Sequence, residues 1–113
     1  MYAIGKKSFY EVLVMVRHIV SWNYKDGVTD EEKKTHAQMM QAGLDGLEQC
    51  IDGILEVTLY TDLCASSNRD IMLDSLFESE AALAAYQVHP EHQKLTATVG
   101  ALLQDRACVD YLV

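Results

Sequence analysis

From Met15 to Tyr24 the chain alternates: Val16, His18, Val20, Trp22 and Tyr24 fall on one face, Arg17, Ile19, Ser21 and Asn23 on the other. A period of two in a stretch rich in β-branched and aromatic residues predicts a strand. After a turn at Asp26-Gly27 the period changes. Ala37, Met40, Leu44, Leu47 and Ile51 recur at spacings of three and four, the stripe of an amphipathic helix lying on a sheet. Thr29 is its expected N-cap, Glu32 the capping-box partner, and Gly53 is placed to end it. Alternation returns in ILEVTLY and again in DIMLDSLF, and the polar TDLCASSN between them reads as a long hairpin loop. Ser79 caps a short helix over ESEAALAAYQ. A second helix is expected to start at Pro90, whose missing N–H costs nothing at the first helical position, and to run on through ATVGALLQD. RACVDYLV closes the chain as a fourth strand.

The resulting order, β-α-β-β-α-β, is that of a ferredoxin-like split βαβ protomer of the α+β class. Right-handed crossovers give an antiparallel sheet of order 4-1-3-2 with the helices on one face. The other face then needs a cover. Strand one carries apolar residues on both sides, and Val16, Val20 and Trp22 are read as the set that a twin shields. A homodimer through the open sheet face, closing a dimeric α/β barrel, is the expected assembly. This plan occupies residues 15–113. Residues 1–14 form an N-terminal extension, read as an edge segment, a disordered arm, or the product of a start placed upstream of Met15.

At 113 residues, 50% of them hydrophobic and 23% charged, the chain has the make-up of one soluble domain. A net charge of −8 argues against a nucleic-acid partner and against anionic membrane surfaces, both of which select clustered Lys and Arg. No apolar run approaches the roughly 20 residues of a membrane span, and the start lacks the layout of a signal peptide. A cytoplasmic location is expected. The three cysteines, odd in number and without a C-x-x-C pair, fit a reduced environment, and Cys50, Cys64 and Cys108 are each expected as small buried apolar residues.

Candidate chemistry gathers in AYQVHPEHQ, which sets Tyr86, His89 and His92 about the only proline in the chain. His92 lies in line with Leu95, Val99 and Leu102, so the helix turns it toward the apolar side. An imidazole shielded there is held neutral and suits a general base. Equally, it fits a core histidine bonded to a backbone carbonyl. Tyr86 is placed to share a pocket with it and to donate to a developing enolate, and His18 converges from strand one. His89 reads as the cap of the Pro90 helix. His36, at the edge of the first helix's stripe, is expected to be partly exposed. A zinc site from His89, Glu91 and His92 is disfavoured, because helical zinc histidines usually stand four apart and these stand three apart. No metal or cofactor is assigned, although an oxygen-ligated ion would leave little trace.

With V-R-H-I-V on strand one, Y-x-x-H-P-x-H ahead of the last helix and V-D-Y at the end, the chain resembles the Dabb family of stress-responsive α/β-barrel domain proteins over Met15 to Val113. The resemblance implies a ferredoxin-like homodimer with a cavity. Its best understood catalytic member in kind, a plant polyketide cyclase, works by aldol chemistry without a cofactor. On that likeness Tyr86 matches the catalytic tyrosine, His92 the general-base histidine, and His18 and His89 neighbouring histidines; Trp22 joins them at the pocket. A further pocket histidine of the cyclase falls near Ile71 here. The expected function is a pocket for a small apolar or aromatic carbonyl compound, with cofactor-free acid–base chemistry. The alternatives are a non-catalytic structural or stress-related dimer and, with less support, a cofactor-free monooxygenase.

Overall fold

The computed structural model describes residues 14–113. The proposed extension over residues 1–14 therefore lies, apart from Val14, outside the described residues. The first alternating stretch forms β1 (Val16–Tyr24). It leads into α1 (Asp30–Cys50), where Thr29 Oγ1 accepts from the Glu32 amide and the Glu32 carboxylate accepts from the Thr29 amide. That reciprocal pair satisfies two of the donors a helix start leaves orphaned. Beyond α1 the backbone reverses at Gly53, whose φ of +91° excludes most side chains. A Cβ there would also come within 2.7 Å of the Ala82 methyl.

β2 (Ile54–Tyr60) and β3 (Ile71–Phe77) follow, then α2 (Glu80–Val88), α3 (Pro90–Val99), a single 3-10 turn (Gly100–Leu102) and β4 (Leu103–Leu112). Ser79 Oγ caps α2 by accepting from the Ala82 amide at 3.0 Å. The sheet order is β2-β3-β1-β4 with every pair antiparallel, the order the crossover rule predicts. The last helix is shorter and the last strand longer than the sequence suggests. Leu102 and Leu103 look like a continuing helical stripe, but Leu103 and Gln104 pair with Tyr24 and Asn23 instead, and the Lys25 amide bonds the Leu102 carbonyl at 2.8 Å. Asp105, at φ +56°, takes up the bulge this extra pairing creates.

Cross-strand partners share a face of the sheet. Val16 opposes Phe77, His18 opposes Ser75, Val20 opposes Leu73 and Trp22 opposes Ile71. All three helices press on this face, and Met40, Leu44 and Leu47 of α1, Leu83 and Tyr86 of α2 and Val99 of α3 are buried in the same core as Phe77, Ile71 and Leu73. Val16 and Val20 are thus core residues and Trp22 packs against that core. This corrects the expectation that they face a twin. They share the face of His18 and Tyr24, and the helical stripe covers that face.

The open face is carried instead by the other alternation. Ile19 opposes Val109, Arg17 opposes both Leu76 and Tyr111, and Tyr60 opposes Met72. Val109, Tyr111 and Tyr60 remain exposed there. Arg17 anchors the middle, donating to Asp74 at 2.9 Å and to Glu56 at 3.4 Å.

Two further expectations are corrected. All three cysteines are exposed, Cys50 at the last turn of α1, Cys64 in the β2–β3 connection and Cys108 on the edge strand β4. His36 is buried at 2% exposure. Its Nε2–H donates to the Val99 carbonyl at 2.8 Å, and its Nδ1 lies 2.9 Å from the Tyr24 hydroxyl. Each ring nitrogen has a partner, which is what lets a histidine sit in the seam between helix and strand.

Candidate functional site

β1 brings His18 up beneath the helices, and α2 and α3, set at an angle by Pro90, bring Tyr86 and His92 down toward it. Between them lies a pocket of about 410 Å3 whose lining includes His18, Trp22, Tyr86, His92, Gln87 and Arg106, closed by apolar side chains such as Leu44 and Leu73. That volume falls in the range of about 300 to 1,000 Å3 common for small-molecule sites. A more open cleft of about 540 Å3 lies between α1 and the β2–β3 connection, around Lys33, Lys34 and Arg69. None of the predicted site residues lines it.

Tyr86 is 3% exposed, yet among the described residues no group hydrogen-bonds its hydroxyl. Its ring is held on both sides, tilted against Phe77 at 4.9 Å and against His92 at 4.1 Å between centroids. Burial pushes its phenol up to about 12. His92 is half-buried and has one ring nitrogen occupied, Nδ1–H donating to the Gln87 carbonyl at 3.3 Å. Among the described residues Nε2 has no partner. Burial lowers its pKa first, and the neighbouring charges of His18, Arg106 and His89 lower it further, against the opposing pull of the Gln87 carbonyl. A neutral ring with Nδ1 protonated leaves Nε2 as a lone-pair acceptor.

His18 is 3% exposed, and its Nδ1 lies 2.5 Å from Asp110 Oδ1, directly across the β1–β4 ladder. The carboxylate fixes the ring orientation and leaves Nε2 turned away from Asp110. Cys108, two residues earlier on the same side of β4, places Sγ 3.5 Å from that carboxylate oxygen and 3.8 Å from His18 Nδ1. Burial first, then the Asp110 carboxylate, push its thiol up.

The pocket therefore gathers His18, Trp22, Tyr86 and His92. His89 stands apart: its Nδ1 accepts from the Glu91 amide at 3.1 Å and caps α3. Arg106, Asp110 and Cys108 were not singled out by sequence reasoning. Their shared parity on β4 was visible, but only the register with β1 shows that this parity meets His18.

The Tyr86 phenol has a measurable consequence. An unfolded tyrosine ionises near pH 10, whereas here ionisation waits until about 12. The stabilisation is therefore complete below pH 10 and is lost as pH rises from 10 toward 12, amounting to roughly 1 kcal/mol at pH 11. Tyr24, also raised by burial and then by Asp70, contributes in the same direction. Urea unfolding at pH 8 and 11 is expected to show a smaller alkaline loss in Tyr86→Phe than in the wild type. Equal losses would place the phenol in solvent.

A four-stranded antiparallel sheet with helices on one face and a pocket between the layers defines a ferredoxin-like α+β protomer. Residues 16–113 match the stress responsive A/B barrel domain (Dabb) family, and the chain belongs to that family. In structure it is similar to a dimeric protein of unknown function with a ferredoxin-like fold from Bacteroides fragilis, at 28% identity and TM-score 0.80, covering 88% of this chain and 96% of that one. A dimeric ferredoxin-like protein of unknown function from Thermobifida fusca follows at 26% identity and TM-score 0.74, covering 88% and 92%. The hydroxynitrile lyase of Passiflora edulis shares the fold at 18% identity and TM-score 0.71, covering 88% and 93%. No curated protein matches the chain. No helix of the described residues is long and apolar enough to cross a membrane.

Proposed function

We propose that the protein is a homodimer, joined through the open sheet face, whose pocket binds a small apolar or aromatic carbonyl compound and promotes proton transfer on it without a cofactor. The observation that carries this reading is the Tyr86 hydroxyl, which lines a pocket of about 410 Å3 in a 3% exposed residue with no hydrogen-bond partner among the described residues. No fully buried side-chain oxygen or nitrogen among the described residues lacks a partner, so this hydroxyl opens onto the pocket and its donor is free for a ligand oxygen. Tyr86 then donates to the carbonyl oxygen, and Arg106 adds positive charge as an enolate develops. His92 Nε2, unpartnered and held neutral by burial, accepts the proton from the adjacent carbon.

His18, locked by Asp110, orients the ligand against Trp22. The apolar wall of Leu44 and Leu73 selects a ring or alkyl body. The chemistry of the Passiflora edulis neighbour, a hydroxynitrile lyase, shows that this fold can hold a catalytic site.

Trp22 is the only tryptophan in the chain and lines the pocket, so its fluorescence reports occupancy. Acetophenone is expected to quench it saturably in the wild type, and Thr96→Phe, which crowds the pocket and adds no second tryptophan, to abolish the acetophenone response. Exchange of the ketone's methyl protons for deuterium, followed by NMR, is expected to fall about 100-fold in Tyr86→Phe and in His92→Ala. Saturable binding with no catalysed exchange would leave a binding pocket alone. With neither, the protein would be a dimer without turnover.

A further inference from the structure

The densest group of metal-ligating atoms among the described residues lies at the edge of the pocket. His18 Nδ1, Cys108 Sγ and Asp110 Oδ1 all fall within 4.8 Å of one another, and none of them belongs to the proton-transfer pair Tyr86 and His92. We propose that these three side chains form a binding site for a borderline-soft divalent ion of the zinc class, with its fourth coordination position open to solvent and ligand. The ladder builds the site. His18 opposes Asp110 and Val20 opposes Cys108, so the three side chains stand on one face of adjacent strands and converge without any loop to order.

The edges of the triangle can be set against what a tetrahedral ion needs. Bond lengths of about 2.3 Å to sulfur and about 2.0 to 2.1 Å to nitrogen and oxygen put the ligand atoms about 3.5 Å apart for each sulfur edge and about 3.3 Å apart for nitrogen and oxygen. The sulfur edges are 3.5 Å to Asp110 and 3.8 Å to His18, already close to that geometry. The remaining edge is 2.5 Å, the hydrogen bond between His18 and Asp110. Replacing that hydrogen bond by an ion requires the Asp110 carboxylate to swing outward by about 0.8 Å, and its side chain is 39% exposed and free to do so.

The donor set also selects the ion. One imidazole, one thiolate and one carboxylate disfavour magnesium and calcium, which take oxygen ligands, and favour zinc and its cobalt substitute. Three protein ligands leave a tetrahedral ion's fourth position to water. His18 is the ligand that also lines the pocket, so an ion at its Nδ1 sits at the pocket's edge. The site would have escaped any search for closely spaced ligands, since it joins residues 92 positions apart.

The test uses the full chain, stripped with a chelator and titrated with Co2+ under reducing conditions. The expected result is a thiolate-to-cobalt charge-transfer band in the near ultraviolet with visible bands of tetrahedral intensity, saturating at one ion per protomer and displaced by Zn2+. Cys108→Ser and Asp110→Asn, both at exposed positions and checked for folding by circular dichroism, are each expected to weaken uptake at least tenfold. Cys50→Ser combined with Cys64→Ser removes the other two thiols and is expected to leave it unchanged. Absence of the band in the wild type, or an undiminished band in either single variant, overturns the site. Because uptake is read without acetophenone, these results are independent of the proposed carbonyl chemistry.

Discussion

Phe77→Ala is expected to lower the unfolding free energy by about 3 to 5 kcal/mol, read as a shift of the urea midpoint at unchanged slope. Phe77 is fully buried in the core. Across the sheet it opposes Val16 and Ile54, and its ring meets Tyr86 at 4.9 Å and the edge of His18 at 6.1 Å. Removing it takes away the apolar surface that its ring buries. The space left cannot close, because two ladders fix the backbone on both sides. The hole would adjoin the pocket, so Tyr86 would lose one of the two rings that set its tilt. Phe77→Leu, which keeps most of the volume, is expected to cost much less, about 1 to 1.5 kcal/mol. A loss under about 1 kcal/mol for the alanine variant would mean that sheet and helices do not meet at this ring.

The second large effect concerns assembly. The open face presents Ile19, Val109 and Tyr111 beside the paired charges of Arg17, Asp74 and Glu56. In a two-fold dimer every substitution occurs twice, so Val109→Asp combined with Ile19→Asp buries four unpaired carboxylates in one interface. Association is expected to weaken at least about 1,000-fold, turning a dimer into a monomer in sedimentation velocity at low micromolar concentration. Val109 is 59% exposed in the protomer and Ile19 lies on the same open face, so the monomer itself should keep its fold by circular dichroism. A wild-type monomer at that concentration, or a double variant that still pairs, would remove the dimer from the proposal.

These two experiments separate the faces of one sheet, which sequence reasoning had partly exchanged. The alternation along β1 was legible, and so was the fact that both its faces carry apolar side chains. Which set lay under the helices was not. Val16, Val20 and Trp22 looked like a greasy outer surface, although His18, of the same parity, had been placed in the pocket. The same parity rule applied to His18 and to Trp22 together would have resolved it. The cysteines show a related limit. Free cysteines are usually buried, but Cys108 stands opposite the buried Val20 on β4, the edge strand of the sheet, and which strand lies at the edge is a matter of sheet order in space.

By itself the sequence determined the order and kind of the elements, because strand and helix periods, the Thr29 capping box, Gly53 and Pro90 act within a few residues of chain. It also determined the sheet order, since crossover handedness leaves few alternatives. It put His18, Tyr86 and His92 forward as candidates through residue type and helical spacing. Tertiary structure alone decided which face of β1 the helices cover, that His36 is a buried bridge between Tyr24 and Val99, and that Asp110 and Cys108 meet His18. The physical reason is reach: periodicity is set by neighbours along the backbone, whereas these contacts depend on the register of strands 90 residues apart, and the hydrogen-bonded ladder fixes that register only once the sheet has formed.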